Sequence, residues 1–290
     1  MDLCDIGQIR SLLSGQGFRF SKSMGQNFLI AAWVPERITA EAGLDNETGV
    51  LEVGPGIGCL TVQLSKHAVK VVAVELDRAL KPVLEETLKD CGNTEVLFGD
   101  VLKMNIAEIT GEKLGGLKPV VCANLPYNIT SPLISAFIDA GCFERATLMV
   151  QREVAHRICA KAGSSDYGAF TVYVNWHAEP EILFDVSPEC FMPAPKVWSS
   201  VIKLKMRSVP PVKVTDEKLF FAVVRAAFNQ RRKTLLNALT SGLSGFTKEE
   251  LGNIIVSCGF DPMIRGEVLD IQGFASVANA LVSLSENTVG

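Results

Sequence analysis

Histidine is scarce in this chain, its cysteines are not clustered and no long apolar run occurs. Each lack closes off a class of function. Three histidines (His67, His156, His177) stand far apart in 290 residues, and eight cysteines include no C-x-x-C pair. Zinc needs clustered ligands, so no metal is expected. A long chain without a secretion signal favours reduced thiols over disulfides. The start, Met1 to Phe20, mixes Asp2, Asp5 and Gly7 with short apolar pairs. It lacks the basic stretch and apolar core of a signal peptide. No apolar run approaches the roughly 18 residues of a membrane span. The expectation is a cytoplasmic protein with no membrane partner.

Net charge is −4, which argues against a uniformly basic, nucleic-acid-binding surface. The apolar share is 48% and mean hydropathy is +0.24, so a sizeable core can be buried. At this length one large and one smaller domain are expected.

Strands are expected at Gly49–Val53, Val69–Glu75, Glu95–Phe98, Pro119–Ala123 and Ala146–Val150. Helical spacing is found at Leu60–Lys66, Ala79–Lys89 and Ser131–Ala140. Such alternation argues for an α/β, Rossmann-like doubly wound sheet. Two longer runs, Ala169–Trp176 and Val197–Met206, alternate and read as antiparallel strands completing the sheet. Ser208–Pro211 reads as a linker. Asp216 to Leu284 looks wholly helical, with a break near Ser241–Gly245 and a turn at Gly259–Pro262. The division is therefore 1–207, an α/β domain, and 208–290, a small all-helical domain. No internal repeat or low-complexity segment is present.

Leu51-Glu-Val-Gly-Pro-Gly-Ile-Gly58 ends a strand in three alternating glycines before a helix. Such glycines let backbone turn tightly and approach a ligand. The spacing is neither the dinucleotide G-x-G-x-x-G nor a phosphate loop, which would end in G-K-[ST]. The second strand ends in Glu75, suited to two ribose hydroxyls, as NAD would also require. The third ends in Gly99-Asp100. Asp100 can accept from an adenine amine, or simply cap a helix. Gly, Glu and Asp on three consecutive strand ends together favour S-adenosylmethionine.

The fourth strand ends in Asn124-Leu-Pro-Tyr127, at the carboxyl edge where ligands of open α/β sheets bind. The N6 lone pair of adenine is delocalised into the ring, so the amine is a poor nucleophile. Two acceptors for its hydrogens, the Asn124 oxygen and the Leu125 carbonyl, favour a tetrahedral nitrogen and stabilise charge developing there. Pro126 stiffens the turn and Tyr127 offers a stacking face. Phe191 can close the other side of the base, or simply pack its loop.

These residues resemble the small-subunit ribosomal RNA adenine N6-dimethyltransferases, the KsgA group, over nearly the whole chain. Met24–Leu29, Asn124–Pro132, Gln151–Arg157, Tyr167-Gly168, Phe191–Val197 and Phe228–Leu235 carry the likeness. It implies cofactor contacts from Asn27, Leu29, Gly54, Glu75, Asp100 and Asn124, and we add their neighbours Gln26, Gly56, Leu76 and Val101. It further implies dimethylation of two adjacent adenosines near the 3′ end of 16S RNA, within an assembling small ribosomal subunit. The chain departs from the family in having few basic residues over Phe20–Met24, and in Ala162 and Trp198.

Basic clusters answer the negative total in part. Lys203, Lys205 and Arg207 alternate along a strand, while Arg225, Arg231, Arg232 and Lys233 lie on or beside a helix. Arg152, Arg157 and Lys161 form a looser set. Singly, each reads as a solvated charge; the three adjacent cations Arg231–Lys233 read as an RNA contact. Rival readings are a large-subunit rRNA adenine methyltransferase of the resistance type, a DNA adenine methyltransferase, an assembly factor with dispensable catalysis, and a small-molecule methyltransferase. A monomer is expected.

Overall fold

The computed structural model describes residues 3–18 and 26–289, with side chains to residue 285. Phe20–Met24 and Gly25, part of the matched N-terminal segment, lie outside the described residues. In chain order the elements are α1 (Ile6–Gly15), β1 (Phe28–Leu29), α2 (Trp33–Glu41), β2 (Thr48–Val53), α3 (Cys59–His67), β3 (Lys70–Glu75) and α4 (Lys81–Thr87). Then come β4 (Thr94–Phe98), α5 (Ile106–Leu114), β5 (Lys118–Asn124), α6 (Thr130–Ala140), β6 (Arg145–Gln151), α7 (Arg152–Ile158) and α8 (Ala169–His177). Strands β7 (Ala178–Val186), β8 (Phe191–Met192) and β9 (Ser199–Met206) follow. The chain continues as α9 (Glu217–Asn229), α10 (Leu235–Gly242), α11 (Lys248–Ser257) and α12 (Ile271–Val289).

Seven strands form one sheet in the order β4-β3-β2-β5-β6-β9-β7. Strands β2 to β6 pair in parallel, and β9 runs antiparallel beside β6. All six residues of β2 are buried, as a central strand covered on both faces requires. This is the expected Rossmann-like sheet, and its reversal of strand order beside β2 places the carboxyl ends of β2, β3 and β5 around one crevice.

The chain separates into two compact units. One runs to Ala155 and resumes over Glu179–Met206; the other gathers His156–Ala178 with the helices from Arg207 onward. In the second unit, Ala169–His177 is a helix and not the expected strand. Its β-branched residues mimic strand alternation. Packing prevails: Val172 and Trp176, four apart, enter an aromatic core in which Trp176 stacks on Phe220 at 4.4 Å. The antiparallel strand that the sequence reading did not assign is β7, whose Pro180 is tolerated because β7 ends the strand order. Among the described residues, no helix is long and apolar enough to cross a membrane.

Candidate active site

A cavity of about 270 Å³ opens at the carboxyl edge of the sheet, within the first unit. The turn after β2 forms its floor. Gly54, Gly56 and Gly58 have φ of +72°, +60° and +91°, a region that costs an L-residue roughly 1–2 kcal/mol. A Cβ on Gly56 would also stand 3.1 Å from the Phe28 ring. Phe28 is thus seated on the glycine turn, and β1 holds it there by pairing Phe28 with Met192 and Leu29 with Phe191.

Glu75, at the end of β3, is 6% exposed. One carboxyl oxygen accepts from Asp77 N–H at 2.8 Å and the other from Gly56 N–H at 3.3 Å. Burial raises its pKa and the two backbone donors oppose the rise. The Gln26 amide donates to Asp77 at 2.8 Å, tying the N-terminal segment to the same corner. Asp100 does cap the short 3-10 helix Val101–Lys103, accepting from Leu102 N–H at 3.1 Å. Its second oxygen lies 3.4 Å from the Lys103 ammonium. Leu76 and Leu102 line the cavity yet are 53% and 39% exposed, which leaves an apolar wall uncovered beside each acid.

At the end of β5, Leu125 N–H donates to the Met149 carbonyl and extends the ladder by one residue. The Pro126 carbonyl is engaged by the Ile129 N–H at 3.3 Å and the Thr130 hydroxyl at 3.1 Å. Among the described residues, no hydrogen-bond partner reaches the Asn124 side chain or the Leu125 carbonyl. The Tyr127 hydroxyl is 2.6 Å from that of Ser199, the first residue of β9. Burial raises the phenol's pKa, and the Ser199 bond opposes it.

The cavity therefore collects Gln26, Asn27, Leu29, Gly54, Gly56, Glu75, Leu76, Asp100, Val101 and the whole of Asn124–Tyr127. It does not collect Phe191, which is 3% exposed and buried in the main core behind Leu29. The sequence reading missed Glu52. This residue lines the cavity at 1% exposure, and one of its carboxyl oxygens has no hydrogen-bond partner among the described residues. Burial pushes its pKa up to about 8; the neighbouring Glu75 adds to the rise and Thr61 opposes it. A signal was available, because an acid inside the apolar run Val50–Val53 is anomalous.

A sequence model of the family described as ribosomal RNA adenine dimethylase matches residues 17–254. The chain belongs to that family. Ribosomal RNA small subunit methyltransferase A of Geobacillus kaustophilus (strain HTA426) is 45% identical over 287 residues, 98% of each chain. The protein of the same name from Bacillus cereus (strain B4264) is 44% identical over 285 residues, covering 97% of this chain and 98% of that one. A dimethyladenosine transferase from Plasmodium falciparum superposes with a TM-score of 0.74 at 25% identity, over 90% of this chain and 98% of its own. The 23S rRNA methyltransferase ErmE gives 0.67 at 25% identity, over 88% and 100%.

The basic residues of this family member divide by what already holds them. Arg231 donates to the Ser165 and Tyr167 carbonyls at 2.7 and 2.9 Å and lies 3.6 Å from Glu267. It is committed within the second unit. Arg232, Lys233 and Arg225 are exposed there. Lys203 lies 4.0 Å from Glu41 and Lys205 is exposed, both on β9. Arg207 falls beyond the strand, its guanidinium on the Asn175 carbonyl at 3.3 Å, so it does not share their strand face. Arg152 lies 3.5 Å from Asp185, Arg157 sits 6.0 Å over the Phe170 ring, and Lys161 is exposed.

Proposed function

We propose that this chain transfers methyl groups from S-adenosylmethionine to the N6 amines of two adjacent adenosines near the 3′ end of small-subunit (16S) ribosomal RNA. One observation carries the reading. Two acceptors without a partner among the described residues, Asn124 and the Leu125 carbonyl, border the same cavity as the strand-end acids Glu75 and Asp100.

The residues fit the cofactor. Glu75 would hold the ribose hydroxyls and Asp100 the adenine amine, with Leu76 and Leu102 as apolar walls. Gly54 and Gly56 have no Cβ to hold a ligand away, and Gln26, Asn27, Leu29 and Val101 complete the enclosure. Glu52 supplies a buried carboxyl lacking a partner on one oxygen, suited to a cationic group. When bound, S-adenosylmethionine supplies an electrophilic methyl group on a sulfonium.

The chain's own residues then act on the adenine. Asn124 Oδ1 and the Leu125 carbonyl accept the two N6 hydrogens and hold the nitrogen tetrahedral. Both acceptors stabilise positive charge as the nitrogen–carbon bond forms. Tyr127, fixed through Ser199, presents its ring for stacking. The displaced proton leaves to solvent. The monomethylated amine keeps one hydrogen, so the second transfer relies on one acceptor, and the dimethylated product engages neither.

Methyl transfer from labelled cofactor to small ribosomal subunits lacking the modification tests this reading, with large subunits beside them. Label recovered as N6-dimethyladenosine in small-subunit RNA alone is the expected result. Label in large subunits would transfer the assignment to the resistance type, for which the ErmE likeness speaks. Cofactor binding without transfer would favour an assembly role.

For RNA contact by the helical unit we propose Arg225, Arg232 and Lys233, and for RNA contact by the first unit, taken by itself, Arg152, Lys203 and Lys205. Neutralising Arg232 and Lys233 together should weaken subunit binding and lower its log–log salt slope by about 1.4, at roughly 0.7 per contact. Arg231→Gln should instead lower stability by about 0.5–1.5 kcal/mol, chiefly through its lost bond to the part-buried Tyr167 carbonyl, since the exposed Ser165 carbonyl is taken up by water. Filter binding at several salt concentrations and thermal melts separate the two effects.

A further inference from the structure

Trp198 stands beside the proposed base-binding motif with a role in none of the steps above. Its indole is 47% exposed, and Val197 before it is 44% exposed. A single exposed apolar side chain is ordinary on a protein surface; this one is set apart by how firmly its backbone is held.

The backbone here is not loose. The Trp198 carbonyl accepts the Arg152 N–H at 2.9 Å, continuing the pairing of β6 with β9 beyond Gln151 and Ser199. The next residue, Ser199, is buried and fixes the Tyr127 hydroxyl at 2.6 Å. The one after it, Ser200, donates to Asp185 at 2.6 Å, and Asp185 in turn lies 3.5 Å from the Arg152 guanidinium. Three consecutive residues are thus fastened to the sheet edge that carries Tyr127, while the indole itself remains half in solvent. Among the described residues, no ring stacks on it. Exposed Lys196 and Arg152 bring positive charge to the same edge.

We propose that Trp198 is the stacking platform for the RNA base next to the target adenosine, with Lys196 and Arg152 facing its phosphates. This rests on the reading of the cavity as an adenosine N6-methylation site. A base turned onto Tyr127 leaves its neighbour unstacked. The Trp198 carbonyl bonds Arg152 just past the carboxyl end of β6, so the indole, on the face of β9 opposite Ser199, stands at the same sheet edge, where that neighbour can reach it. Stacking accepts any base and needs only a flat apolar face beside cations. The occupant is therefore a single-stranded nucleotide.

The test compares wild type, Trp198→Ala and Trp198→Phe on small subunits lacking the modification. For Trp198→Ala, KM for subunits should rise about tenfold with kcat within twofold, and Trp198→Phe should recover most of the loss. Affinity for S-adenosylmethionine, measured by calorimetry, should be unchanged in both, which shows the variants folded. An unchanged KM in Trp198→Ala would overturn the proposal. A second measurement does not depend on turnover: an oligoadenylate should quench tryptophan fluorescence in wild type and not in Trp198→Phe. Equal quenching in both would overturn the stacking role. Failure of the wild type to methylate subunits would sink the reading of the cavity instead, and the quenching would still decide the role of Trp198.

Discussion

Asn124→Ala should cut methyl transfer by about two to three orders of magnitude, the usual cost of deleting one preorganised group that stabilises developing charge. Cofactor affinity should fall far less, by about fivefold if one neutral hydrogen bond of ~1 kcal/mol is lost. The difference is expected because, in the proposed mechanism, the amide acts on N6, where charge appears only as the bond forms. Since the side chain has no partner among the described residues, its removal leaves no orphaned group, and the melting temperature should hold. Asn124→Asp keeps an acceptor oxygen and should retain more activity than alanine. Single-turnover rates with cofactor titrations make the comparison. Parallel loss of binding and turnover would show that the residue only holds the cofactor.

Glu52→Gln should change stability with a sign that depends on pH. The carboxyl titrates near 8 in the folded chain against an ordinary value of 4.5. Below pH 4.5 both states hold the proton and Glu52 contributes nothing to pH dependence. Between 4.5 and 8 the unfolded chain releases it while the folded chain keeps it, so stability falls as pH rises. The cost reaches about 5 kcal/mol above pH 8, at ~1.36 kcal/mol per unit. Glutamine cannot ionise, so the variant should melt higher than wild type at pH 8. At pH 5 it should melt equal or lower, because its amide brings donors into a site with little to accept them, at about 1–3 kcal/mol. A cationic ligand beside Glu52 draws the proton off. Wild type should therefore release protons on binding S-adenosylmethionine at pH 7, measurable by calorimetry in two buffers, and the variant should bind more weakly. A melting difference that does not vary with pH would place the charge elsewhere.

The sheet was legible because buried parallel strands must be nearly all apolar and because glycines mark the turn at which a ligand meets backbone. The three strand-end acids and Asn124–Tyr127 followed from that frame. Ala169–His177 was not legible, since its residues suit a strand and only the core around Phe220 makes them a helix. Phe191 read as a base-stacking residue because sequence gives no depth; the pairing of β8 with β1 turns it into the core. Arg231 read as one of three equivalent cations, and its two backbone acceptors, more than sixty residues away in sequence, separate it from Arg232 and Lys233. Glu52 stands out in the sequence as an acid within an apolar strand, but strand pattern alone does not tell a buried acid from one at a tolerant position.

The placement of β9 between β6 and β7 has a consequence for how much of the chain the site requires. The proposed cofactor crevice takes its floor and acids from residues before 101, and Asn124 closes β5 soon after. Tyr127 must wait for Ser199, 72 residues later, and the lip formed by Phe28 and Leu29 must wait for Met192 and Phe191. Domains fold as units, so a chain cut before Ser199 would lack the anchor of Tyr127, and the proposed base site is complete only once the last strand of the sheet is in place.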